Sequence, residues 1–206
     1  MAEAARALWQ SRSPWVGLAR PGRHGAATGA PGMHVALRDG LGLATIVAAD
    51  GCEADGCEAV LADRLWAFGG LPGPGKARFT GERGLVWSAP GQWLAVAEEP
   101  GVLSGLAEEL HGLAAVTEQS DSRAVLRLTG PRAGDALRKG VAVDLHPRAF
   151  GPGDAAVTVI AHVGAQLWQL DAAPTYDLAV PRSFAGSVWR WLDEAAAEFG
   201  YVVAVR

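Results

Sequence analysis

Lysine is almost missing from these 206 residues: Lys76 and Lys139 are the only two, while alanine, glycine and arginine abound. That bias suggests GC-rich coding, so an Ala-, Gly- or Arg-rich patch carries less meaning than it would elsewhere. Cysteine is equally scarce. Cys52 and Cys57 are the whole inventory, set in a tandem of Asp50-Gly-Cys-Glu-Ala and Asp55-Gly-Cys-Glu-Ala59. Two thiols with no second pair and no neighbouring histidine cannot complete a four-ligand zinc site. The duplication reads instead as a repeat in a surface loop. Long apolar runs are lacking too: Leu41 to Ala49 is the longest, well short of the roughly 18 residues that a membrane helix needs. No hydrophobic stretch of signal-peptide type opens the chain, which therefore reads as soluble and cytoplasmic. A net charge of −4 leaves no electrostatic footprint for nucleic acid.

What is present is a globular composition, half apolar and 19% charged, enough for one sizeable domain or two small halves sharing a core. Eight tryptophans are many for this length. Tryptophan is enriched at interfaces, so the excess favours a chain with partners, although a Trp-rich core explains it equally well. Residues 1–40 are rich in Gly, Pro and Arg, with five arginines (Arg6, Arg12, Arg20, Arg23, Arg38) against Glu3 and Asp39. Such a start superficially suits a transit peptide, but Pro14, Pro21 and Pro31 break any long amphipathic helix. The expectation is an arm over 1–40, flexible or embraced by a partner, with Trp9 and Trp15 stranded away from any core. Residues 41–206 are then a single α+β domain built from two pseudo-repeated halves.

The periodicities support that division. Val35-Ala-Leu-Arg and Ala44-Thr-Ile-Val-Ala read as strands separated by an Asp39-Gly40 turn, and Glu58 to Phe68 reads as a helix. Ala77-Arg-Phe-Thr is a short strand. Leu85-Val-Trp and Trp93-Leu-Ala-Val form a hairpin through Pro90-Gly91. Pro100 opens a helix with Val102, Leu103, Leu106 and Leu110 on one face until Gly112, and Leu113-Ala-Ala-Val-Thr follows as a strand. The same order, strand, strand, helix, strand, recurs later. Gln166–Leu170 and Tyr176–Val180 flank a Pro174 turn. Ser183 would cap a long helix carrying Phe184, Val188, Trp191, Leu192, Ala195 and Phe199, Gly200 would stop it in a left-handed conformation, and Tyr201 to Val205 would close the unit. Leu94-Ala-Val96 and Leu178-Ala-Val180 lie 84 positions apart. Two related strand-strand-helix-strand units with antiparallel sheets follow, with the Arg123 strand and a Gly134–Lys139 helix between them.

Catalytic chemistry is hard to find. Gly70-Leu-Pro-Gly-Pro-Gly-Lys76 fits seven positions of a phosphate loop, but the eighth is Ala77 rather than Ser or Thr, and Pro72 and Pro74 remove two cradling N–H groups. Gly40-Leu-Gly42 begins a dinucleotide fingerprint whose third position is Thr45 and whose acid, Asp50, comes too early. The five histidines (His24, His34, His111, His146, His162) are scattered singly. His111 reads as a helix C-terminal cap and His162 as one position of an alternating strand. Asp144 would serve as a general base only beside a pocket partner, and a turn role suits it better. Glu108, Glu109, Asp193, Glu194 and Glu198 lie opposite the apolar stripes and read as solvated faces. No catalytic, cofactor-binding or metal residue is assigned.

Four segments then carry a resemblance: Leu85 to Leu94, Thr117 to Arg132 (with Arg123-Ala-Val-Leu-Arg-Leu-Thr-Gly-Pro-Arg132), Asp144 to Phe150, and Tyr176 to Gly200 with its Val180-Pro-Arg-Ser-Phe184 and Trp189-Arg-Trp-Leu192. In this order they resemble the γ subunit of heterotetrameric sarcosine oxidase, a family distantly related to the folate-binding domain of aminomethyltransferases. The segment around Pro90 departs from the family's Leu-Gly-Pro-Asp-Glu-Trp pattern, and residues 1–75 match poorly. The resemblance implies a folate-binding-domain-like fold without a working site, acting in assembly with α, β and δ subunits. It implies oxidative demethylation of sarcosine to glycine with hydrogen peroxide and either formaldehyde or methylene-tetrahydrofolate. FAD, FMN, NAD and tetrahydrofolate would reside in the partner subunits. The alternative is a stand-alone folate-binding or aminomethyltransferase-like protein, for which Asp144 with Trp168 or Tyr176 are the nominees to line a pterin pocket.

Overall fold

The computed structural model describes residues 12–51 and 57–204. Among the described residues, twelve strands form two sheets. The larger has seven strands in the order β1 (Gly22–His24), β12 (Tyr201–Val203), β2 (Met33–Leu37), β8 (Arg123–Thr129), β11 (Thr175–Pro181), β10 (Val163–Asp171) and β9 (Ala155–Ile160). The smaller has five, in the order β4 (Ala77–Thr80), β5 (Arg83–Ala89), β6 (Gln92–Ala97), β3 (Gly42–Ala48) and β7 (Ala114–Glu118). Every neighbouring pair is antiparallel except β12 with β2. Helices α1 (Cys57–Arg64) and α2 (Leu106–Glu109) cover the small sheet, and α3 (Ala133–Arg138) and α4 (Ala185–Ala196) cover the large one. The result is four layers, helices, sheet, sheet, helices. No helix among the described residues is long and apolar enough to cross a membrane.

Period-two alternation explains the layering, because successive strand residues point to opposite faces. In β8, Ala124, Leu126 and Leu128 enter the core beneath α3 and α4, while Val125 enters the core between the sheets. In β6, Leu94 and Val96 face the other sheet and Trp93 and Ala95 face α1 and α2. Such strands bury both faces, so they read as continuous apolar runs. The inter-sheet core joins Leu43, Val86, Leu94 and Val96 to Val125, Trp168 and Ala179. Phe79 stacks on Trp168 with centroids 6.4 Å apart.

Both strand-strand-helix-strand units are present, β5-β6-α2-β7 in the small sheet and β10-β11-α4-β12 in the large one. Several details differ from the sequence reading. Trp15 is not stranded: it is 1% exposed, in the core of the large sheet, with its ring 6.1 Å from that of Trp189. β1 and β2 are strands of that sheet, so residues 12–40 are integral to it; of the expected arm, the segment before residue 12, with Trp9, lies outside the described residues. β2 and β3 do not pair. The Asp39-Gly40 turn carries the chain from one sheet to the other.

The helix expected from Pro100 breaks into a 3-10 turn, Pro100–Leu103, and the four-residue α2, because Gly105 between them adopts φ 85°. Ser183 caps nothing; it lies within a 3-10 turn, Arg182–Phe184, that precedes α4. Trp189 is the buried tryptophan of α4, and Phe184 is 47% exposed. Gly200 has the positive φ expected of a stop, 62°, but with ψ 138° it turns the chain directly into β12. β9 escaped the sequence reading, and His162 is not within a strand. Ala161 and His162 form the two-residue turn joining β9 to β10, with φ 48° and 69°, the geometry of the turns that match strand twist.

Trp15→Ala should therefore cost about 3–5 kcal/mol, as expected for emptying a large aromatic site. Urea unfolding of the full chain measures it, and an unchanged midpoint would restore the detached-arm reading.

Candidate functional site

The chain passes between the sheets twice, from β2 to β3 and from β7 to β8, and the two crossings are laced together. The Gln119 N–H donates to the Leu43 carbonyl at 2.7 Å, the Leu43 N–H to Ser120 Oγ at 2.9 Å, and the Arg38 N–H to the Val125 carbonyl at 3.0 Å. A cleft of about 510 Å³ opens along this seam, lined by Arg38, Arg123 and Arg182 with Asp39, Glu118 and Asp121. Arg38 is buried and donates to Glu98 Oε1 at 2.5 Å. Burial pulls the half-buried Arg123 guanidinium below its ordinary value. Arginine does not deprotonate near neutral pH, so these guanidiniums offer charge rather than proton transfer.

A second cavity, about 320 Å³, lies between α3 and the β10–β11 hairpin, walled by Phe150, Tyr176 and Gly134 with Arg138 at its mouth. Tyr176 is pushed above its ordinary phenol value by burial, with Arg138 opposing and Asp135 adding to the effect.

The nominees for a pterin pocket do not meet. In the β10–β11 pairing Trp168 stands opposite Asp177 and Tyr176 opposite Gln169, so Trp168 and Tyr176 lie on opposite faces of the sheet. Trp168 is fully buried between the sheets and Tyr176 is in the helix-side core. Asp144 is exposed, and its Oδ1 accepts from the His146 N–H at 2.9 Å, which is a turn role.

The remaining candidates resolve into structure. Lys76 donates to Asp154, and the two residues bridge the start of β4 to the start of β9. His24 stacks on Tyr201 at 5.0 Å, and His146 Nδ1 accepts from the Arg148 N–H at 3.2 Å. His34, His111 and His162 are exposed. Asp193, read as solvated, also accepts from the Tyr201 hydroxyl at 2.6 Å. Cys57 opens α1 and is disulfide-bonded, which takes it out of thiolate chemistry, whereas Cys52 lies outside the described residues. Among the described residues no cluster of His, Cys, Asp or Glu could hold a metal ion. Sequence reasoning missed the pairing of Arg127 with Asp177, whose carboxylate is 1% exposed and receives two N–H donors at 2.7 Å. Only the β8–β11 register, which sets the two opposite each other, makes it visible.

The profile of the sarcosine oxidase γ subunit family matches residues 53–198. The sarcosine oxidase subunit gamma of an Arthrobacter species is 36% identical over 91% of both chains. This chain belongs to the sarcosine oxidase γ subunit family. A subunit gamma from Corynebacterium sp. (strain P-1) is 38% identical over 56% of this chain and 57% of its own. Among solved structures, a chain of heterotetrameric sarcosine oxidase from Corynebacterium sp. U-96, in complex with pyrrole 2-carboxylate, superposes with TM-score 0.77 at 29% identity, covering 91% of this chain and 95% of that one. The glycine cleavage system aminomethyltransferase T from Bartonella henselae shares the fold, with TM-score 0.57 at 15% identity over 82% of this chain and 49% of its own. The α+β, folate-binding-domain-like architecture is thus the family's fold.

The Lys76–Asp154 bridge yields a pH prediction. Burial alone would raise the Asp154 carboxyl, but hydrogen bonds from Lys76 and from the Gly151 N–H outweigh it and hold the group below its ordinary value. A depressed carboxylate stabilises the fold above its unfolded value of about 4, and that contribution is lost as pH falls through the lowered folded value. Asp154→Asn should cost about 1 kcal/mol at pH 7, and the gap from wild type should shrink progressively as pH falls below about 4. Thermal unfolding across that range checks it; a gap independent of pH would assign the loss to packing.

Proposed function

We propose that this chain is the γ subunit of a heterotetrameric sarcosine oxidase and is itself non-catalytic. It supports assembly of a flavoenzyme that oxidatively demethylates sarcosine to glycine, with hydrogen peroxide and methylene-tetrahydrofolate or formaldehyde as the other products. Its partners are the α, β and δ subunits, which carry FAD, FMN, NAD and tetrahydrofolate, and it works with them in the cytoplasm. The observation that carries this reading is likeness over nearly the whole of both chains to a subunit of a heterotetrameric sarcosine oxidase.

The test is purification through a C-terminal tag from cells grown on sarcosine. A yellow complex with two large subunits and sarcosine-dependent peroxide production is the expected result; a colourless monomer would overturn the assignment. For the segment before residue 12 we propose docking on a partner subunit, because it carries Trp9 and tryptophan is enriched at subunit interfaces. Deleting residues 2–11 should reduce co-purified partner severalfold while leaving the unfolding midpoint unchanged, and full recovery of the complex would refute the docking role.

A further inference from the structure

The cavity between α3 and the β10–β11 hairpin holds groups that the assembly role leaves unused. Tyr176 and Gln169 stand side by side across the β10–β11 pairing, 4% and 5% exposed. The Tyr176 hydroxyl donates to no described group; it points towards Gly134, where a Cβ would stand 3.4 Å away. The Gln169 amide is oriented by donation from Nε2 to the Asp171 carbonyl at 2.8 Å, which leaves Oε1 buried without a partner. Gln169 Oε1 is thus a buried acceptor that a molecule reaching it with an N–H or O–H would satisfy.

The walls select the rest of that molecule. Phe150 stacks on Tyr176 at 6.5 Å, and Pro131, Pro147, Pro152 and Pro174 arrive from three loops. Rings fixed in φ and without N–H groups make a stiff apolar surface suited to a flat body. At the mouth, Asp135 serves both Arg132, at 3.0 Å, and Arg138. Two guanidiniums share one carboxylate, so the cluster carries one positive charge in excess; Arg138 lines the cavity beside Asp135 and also donates to the Leu145 carbonyl at 3.1 Å. A volume near 320 Å³ sits at the lower end of small-molecule pockets, about 300–1,000 Å³.

We propose that this cavity binds a small molecule with one flat ring and one carboxylate, the ring against Phe150 and Tyr176 and the carboxylate towards Arg138. The site stands independently of the subunit assignment.

Tyr176 and Tyr201 are the only tyrosines, so 3-fluorotyrosine gives the full chain two 19F resonances, assigned with Tyr176→Phe. Benzoate should move the Tyr176 signal saturably, with a Kd on the order of 1 mM, and leave Tyr201, whose hydroxyl is tied to Asp193, in place. Acetate should move neither signal. Benzyl alcohol should move Tyr176 with about tenfold weaker affinity. Arg138→Gln should weaken benzoate to the level of benzyl alcohol while leaving benzyl alcohol unchanged, which also shows that the variant is folded. The same titration on the co-purified complex should give the same shift. Absence of any Tyr176 shift at about 50 mM benzoate, equal movement of both signals, or a response to acetate would each overturn the proposal. Binding by the free chain that disappears in the complex would also overturn it, marking the cavity as a partner contact.

Discussion

The apolar layer between the two sheets is the constraint on which the rest of the molecule depends. Trp168 is wholly buried there against Phe79, and Leu43, Leu94 and Val96 meet Val125 and Ala179 across the gap. Strands whose residues are apolar on both faces cannot leave one face in water without exposing a patch large enough to drive association. Neither sheet is therefore a stable unit alone, and the helices only complete what the contact between sheets begins. Among the polar residues facing this layer, Asp177 is buried and neutralised by Arg127 on the neighbouring strand, while Arg38 meets Glu98 and Lys76 meets Asp154.

Much of this architecture was legible in the residues. Strands with strong runs, such as Arg123–Thr129 and Tyr176–Val180, were found because an uninterrupted β-rich stretch bounded by Gly or Pro has few other readings. The repeated unit order was legible for the same reason. What failed was tertiary. Trp15 looks stranded because nothing apolar surrounds it in sequence, yet the pocket beside Trp189 is built by residues far along the chain. The break at Gly105 was obscured by a leucine spacing that a continuous helix would also show. β9 was missed because an edge strand with Val157 and Val159 exposed, 54% and 46%, departs from the expected inside-outside pattern. The cavity beside α3 was visible only through Tyr176, and for a different reason. Four prolines spread over forty-odd positions signal turns, and only the fold brings them to one rim.

The two strand-strand-helix-strand units differ in their sheets. In the small sheet β6 and β7 are separated by β3 alone, whereas in the large sheet β11 and β12 are separated by β8 and β2. The second unit thus accommodates an additional strand between its equivalents, and each sheet takes in strands from elsewhere in the chain. The likeness to an aminomethyltransferase is one of architecture alone, because sites are grafted on folds rather than dictated by them.

β12 lies between β1 and β2, so among the described residues the last strand in chain order wedges between the first two. On the ribosome, the facing edges of β1 and β2 stay unpaired until β12 has been made. Closure of the large sheet is therefore governed by contacts of very long sequence separation, which form slowly and are exposed to mispairing.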